Sequence, residues 1–153
     1  MTSRSKRVAI VASRFNHAVT QALVDGAIEV LRKSGVAKDA IETHWVPGAF
    51  ELPVAAAVVA THQRPAAIIA LGCVIKGQTP QYDAIGQAVA QGLTQVAINA
   101  KMPVSLGVII ADTLAQARER AGGRMGHRGR EAAQAAVEMM QWANHRPTRR
   151  PTR

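Results

Sequence analysis

The sequence predicts an α/β fold: a single domain built as a three-layer α/β/α sandwich around a four-stranded parallel sheet. Two observations carry this. Short apolar, β-branched runs recur at residues 6–12, 41–46, 67–72 and 104–110, and segments with helical spacing separate them. Strands alternating with helices of this length imply parallel neighbours joined by helical crossovers. The runs also lack polar alternation, as strands covered on both faces do.

Each element follows from local chemistry. The run KRVAIVA ends at the polar turn Ser13-Arg14. Thr20 to Ser34 places Leu23, Ala27, Val30 and Leu31 on one helical face, with Gly35 as its stop. The strand IETHWV ends at Pro47-Gly48, and residues 50–62 read as a buried helix with Pro53 in its first turn. The third strand, 67–72, continues through Val74 and Ile75 into the turn KGQT, and a helix headed by Gln81 runs from about 82 to 100. VSLGVII is the fourth strand; Asp112 or Thr113 caps a helix to about Ala121. The loop GGRMGHRG and a helix over Glu131–Asn144 close the domain.

The length of 153 residues suits one core. No window approaches the roughly 18 apolar residues that cross a bilayer, and the basic N-terminus lacks a signal-peptide core. The single cysteine, Cys73, permits no intrachain disulfide, which fits the cytoplasm. Of the net charge of +9, seven charges sit in residues 1–7 and 146–153, where no acid offsets them, leaving +2 on the body. The domain therefore spans 8–144, flanked by a basic N-terminal segment, 1–7, and a basic tail, 145–153. The tail, with its repeat RPTRRPTR, is expected to be disordered. It serves either as a solubilising extension or as a contact for nucleic acid or another polyanion; no aromatics interleave its arginines to stack bases.

In such folds the loops after strands collect the ligand. Here they are SRFN (13–16), PGAFE (47–51), GCVIKGQT (72–79) and IADT (110–113). Together they bring Phe15, Phe50, Glu51 and several hydroxyl and amide groups to one sheet edge. Two aromatic faces suit a flat heterocycle, and a carboxylate suits a polyhydroxylated chain. Histidines 17, 44, 62 and 145 have no metal-ligand spacing.

The ordered motifs SRFN, VPGAFELP, ALGCVIKGQTP, GVIIADT and ERAGGRMGHRG resemble the lumazine synthase family, from about Val8 to Trp142. The resemblance implies a flavodoxin-like fold and the penultimate step of riboflavin biosynthesis. In that step a ribitylaminouracil condenses with dihydroxybutanone phosphate, without metal or organic cofactor. It also implies sites between subunits of a homopentamer, many relatives building a sixty-subunit icosahedral shell, with riboflavin synthase as a cargo. By matching position, Phe15 would stack on the pyrimidine. Ala49, Phe50 and Glu51 would line the ribityl chain, and Cys73, Val74 and Ile75 would supply backbone contacts. Gln78, Thr79 and Arg120 would hold the phosphate.

Four positions depart from the family pattern. Gln81 stands where the family carries its proton-transferring histidine, and a glutamine cannot cycle a proton. Leu106 replaces a phenylalanine facing the neighbour's site, and Arg128 replaces a lysine while keeping its charge. His127 replaces an asparagine; its expected role is that of a surface-loop histidine, the alternative being an imidazole supplied to the site of the adjoining subunit. These changes imply a slowed enzyme; the alternatives are a weakened cage-forming scaffold or a lumazine- or flavin-binding protein.

Overall fold

The computed structural model describes residues 6–145. Its elements run β1 (Val8–Ser13), α1 (His17–Lys33), β2 (Ile41–Val46), α2 (Leu52–His62), β3 (Ala67–Ile75), α3 (Gln81–Ala100) and β4 (Val104–Ala111). There follow α4 (Leu114–Glu119), the short strands β5 (Ala121–Gly123) and β6 (Gly126–His127), and α5 (Arg128–Asn144). The four main strands form one parallel sheet in the order β2-β1-β3-β4. The chain is α/β, with the expected three-layer, flavodoxin-like arrangement.

The sheet divides the core in two. On one face Ile10, Ile69 and Leu71 pack with Leu23, Ala27 and Leu31 of α1 and with Ala133 and Ala136 of α5. On the other face Val11, Ile68 and Ala70 pack with Leu52 and Ala56 of α2 and with Val89 and Leu93 of α3. The two central strands are buried on both faces, so their sequences are continuously apolar. The edge strand β4 departs from that expectation. Gly107, Ile109 and Ala111 are buried, whereas Leu106 and Ile110 on the opposite face are exposed.

Several boundaries move for identifiable reasons. β1 extends to Ser13, which is fully buried and belongs to the strand instead of the turn. The expected helix over 50–62 opens as a 3-10 turn, Ala49–Glu51, before α2 begins. β3 reaches Ile75 because β4 accompanies it to that point, Ile75 lying opposite Ala111. α4 stops at Glu119, and the loop expected over GGRMGHRG contains the antiparallel pair β5–β6. α5 starts three residues before the expected Glu131, since His127 caps it. Gly35 stops α1 as expected, at φ 95°, with Val36 N–H donating to Leu31 O at 3.0 Å.

One close approach makes the α1–α5 layer. A Cβ at Gly129 would overlap the backbone carbonyl of Leu23, so only glycine lets the two helices meet there. Glu29 of α1 and Arg130 of α5 add an ion pair at 2.7 Å on the exposed side. The expected tail falls, apart from His145, outside the described residues. Among the described residues no helix is long and apolar enough to cross a membrane.

Candidate active site

The strand register builds a ledge. β1 pairs with β3 only as far as Ala12 opposite Leu71, and it ends one residue later, whereas β3 and β4 continue together to Ile75 and Ala111. A difference of three residues at ~3.3 Å each raises the β3 edge about 10 Å above the end of β1. Lys76 N–H donates to Ala111 O at 2.9 Å, so residues 74 and 76 turn their backbone groups towards β4. The alternate residues, Cys73 and Ile75, therefore turn theirs towards the side that β1 has vacated.

The loop after β1 closes the foot of this ledge. Arg14 N–H donates to Val46 O at 2.8 Å and Phe15 N–H to Pro47 O at 3.1 Å, which joins the loops after β1 and β2. Asn16 adopts the left-handed conformation, φ 58° and ψ 48°, tolerated by its short polar side chain. Its side chain does not cap α1. Instead the Nδ2 amide donates to Cys73 O at 3.0 Å, across the step. Sequence reasoning missed Asn16; the available signal was an asparagine one residue before a helix start, where left-handed backbone is common.

Beside it, Ala49 is buried and Phe50 is 65% exposed, while Phe15 is 72% exposed. Glu51 is half-buried, and its carboxylate lies over Gly48, with Oε2 3.5 Å from where a Cβ would stand. Cys73 is buried, and that burial pushes its thiol up to about 11. At neutral pH the thiol stays protonated, as a packing group would.

Above the ledge, residues 76–80 carry Gln78 and Thr79, both exposed, into α3. Pro80 occupies the N-cap position and no side chain caps the helix, so Thr79 is not a helix cap. Asp83 N–H donates to Pro80 O at 3.2 Å, while the N–H groups of Gln81 and Tyr82 have no side-chain cap and lie next in sequence to two polar residues, an arrangement suited to an anion. Gln81 is the first residue of α3 and is exposed. The Lys76 ammonium lies 5.9 Å from the centre of the Tyr82 ring.

Leu106 and Ile110 share the outward face of β4. Arg120 and Arg128 make their side-chain bonds within their own segments. Arg120 Nη1 donates to Gln116 O at 3.2 Å, and Arg128 Nη1 donates to Glu131 Oε2 at 2.6 Å. The two arginines are neighbours through the backbone, Arg128 N–H donating to Arg120 O at 2.8 Å. One chain therefore gathers Phe15, Ala49–Glu51, Cys73–Ile75, Gln78, Thr79 and Gln81 at the ledge. Arg120 and Arg128 are joined to each other at the hairpin between α4 and α5.

His127, between those arginines, is not the expected surface-loop histidine. It is half-buried, and its Nδ1 accepts from Arg130 N–H at 3.2 Å, capping α5. The correction has a simple cause. Gly26 and Gly122 have no side chains, which leaves room for the imidazole between α1 and β5.

A family model described as 6,7-dimethyl-8-ribityllumazine synthase matches residues 5–144, which covers every described element. With the ledge, the uncapped head of α3 and this match over nearly the whole length, the chain belongs to the 6,7-dimethyl-8-ribityllumazine synthase family.

Proposed function

We propose that the protein condenses 5-amino-6-(D-ribitylamino)uracil with 3,4-dihydroxy-2-butanone 4-phosphate, releasing phosphate and water, and that Gln81 slows this reaction without abolishing it. The observation that carries the reading is the convergence at the ledge. Phe15 and the Ala49–Glu51 turn are tied together by the Phe15–Pro47 hydrogen bond, and Asn16 ties both to β3.

In this reading Phe15 stacks on the pyrimidine, whose polar edge meets the backbone of Cys73 and Ile75; the expected backbone contact from Val74 drops out, because its backbone groups turn towards β4. Glu51 accepts hydrogen bonds from the ribityl hydroxyls beside Ala49 and Phe50. The phosphate sits on the uncapped N–H groups at the head of α3 with Gln78 and Thr79. Arg120 and Arg128 close the site from a neighbouring subunit, where Leu106 adds an apolar wall. What supports that assignment is that within one chain they bond to Gln116 and Glu131 and to none of the residues 76–81.

Chemistry then divides into two parts. Holding two reactants in register contributes up to ~7–11 kcal/mol. Proton transfer during imine formation, phosphate loss and ring closure contributes about 10²–10⁴-fold. Gln81 can orient a water or a substrate oxygen but leaves that second contribution to solvent. The same assignment keeps the protein in the cytoplasm, where its single cysteine needs no partner.

The test is lumazine formation by wild type and Gln81→His between pH 5 and 9. The expected result is a slow wild-type rate and a gain of ten-fold or more for histidine (on the order of the proton-transfer term). The gain should appear as pH rises through the ordinary histidine range, about 6–7. Failure of both proteins to make lumazine would overturn the reading and favour the second one, a cage-forming scaffold that has lost turnover. Gln81 is the observation that keeps that second reading in view.

A further inference from the structure

His127 lies in an unusual position. It is the last residue of β6 and the N-cap of α5 at once, opposite Ala121 in the hairpin register. Arg120 immediately precedes that hairpin and Arg128 immediately follows it. The ring is held from three elements. Its Nδ1 accepts from Arg130 N–H, its edge covers Gly26 of α1, and its Cδ2 stands 3.3 Å from where a Cβ on Gly122 of β5 would be. The ring therefore touches β5 and α5, which adjoin Arg120 and Arg128 in sequence, and α1, against which both elements pack.

On the reading that Arg120 holds the substrate's phosphate and Arg128 closes the site beside it, we propose that His127 is a positioning residue for both arginines. The neutral ring locks the hairpin to α1 and α5, and protonation unlocks it. The geometry gives the reason. A protonated Nδ1 carries a hydrogen and cannot accept from Arg130 N–H. It would also place a positive charge at a helix N-terminus, where the dipole opposes cations.

The surrounding charges agree. Burial, followed by the positive charge of Arg130 on α5, holds His127 below the ordinary value of 6.5; the Ala22 backbone and Glu29 of α1 oppose this. Glu29 is itself engaged by Arg130 and Lys33, and the β5 contact, Gly122, is uncharged. Since the folded state favours the neutral ring, the unfolded chain binds more protons near and below pH 6.5. The lock is thus complete above that value and is lost as pH falls below it.

His127→Asn separates the two roles, because asparagine caps a helix well and does not titrate. KM for 3,4-dihydroxy-2-butanone 4-phosphate, kcat, and the hydrogen-exchange protection of the Arg130 amide are measured for both proteins at pH 7.5 and 5.5. The phosphate group itself ionises near pH 6, but equally for both proteins. The expected result is a rise in KM on acidification about fivefold larger in wild type than in His127→Asn, the size of one helix cap. Arg130 protection should fall in the wild type alone, with kcat following the same course in both. Parallel KM profiles, or wild-type Arg130 protection that does not change with pH, would overturn the proposal. If neither protein makes lumazine, the activity reading fails on its own. The Arg130 amide and the calorimetric affinity for inorganic phosphate then decide the role of His127 by the same comparison.

Discussion

At the scale of single residues, the ledge depends on Asn16 more than on any aromatic. Its left-handed backbone turns the chain from β1 into α1, and its amide reaches Cys73 O. Asn16→Ala removes the bond and keeps the strained backbone. A stability loss of about 1–2 kcal/mol should follow, read by denaturant melts, since alanine disfavours the left-handed region by about that much. KM for the pyrimidine substrate should rise with it, as Phe15 loses its anchor; an unchanged KM would show that Phe15 is held by the Pro47 hydrogen bond alone. Phe15, Phe50, Glu51 and Thr79 were visible in the sequence because polar and aromatic residues crowd the ends of apolar runs. Asn16 was not, because it acts through a backbone partner 57 residues away, and the seating of His127 was not, because it depends on gaps at Gly26 and Gly122 that local pattern does not reveal.

At the scale of elements, helix ends show which local signals decide boundaries. Thr113 caps α4 by accepting from Gln116 N–H at 3.1 Å, as its residue type suggested. α3 ends less favourably. Lys101 terminates it in the left-handed region, φ 52°, with Met102 N–H donating to Ala97 O at 3.3 Å. Glycine fits that position without a Cβ penalty, so Lys101→Gly should raise stability by about 0.5–1 kcal/mol, seen as a higher Tm, with lumazine formation unchanged. A lower Tm would mean that glycine's freedom in the unfolded chain outweighs the relief. The start of α5 was misread for a related reason. Glycine at 129 reads as a loop residue by propensity, yet contact with Leu23 demands it inside a helix.

At the scale of the whole molecule, one chain leaves its own site open. Phe15, Phe50 and Leu106 are each more than half exposed, and Arg120 and Arg128 bond to Gln116 and Glu131. A site that needs two chains predicts assembly, and native mass spectrometry should find multiples of five chains of 16.3 kDa. A single-chain mass would overturn the shared site, and a pentamer that never enlarges would overturn the sixty-subunit shell. Riboflavin synthase would then have no cage to occupy as cargo. By itself the sequence determined the α/β layering, the four strands of the main sheet and the loops that carry chemistry, because periodicity and turn residues act over a few positions. Only the tertiary structure decided the three-residue overhang of β3, the Asn16 tether and the His127 lock. Each is set by strand register or by a gap opposite a glycine, contacts between segments distant in the chain that local pattern cannot encode.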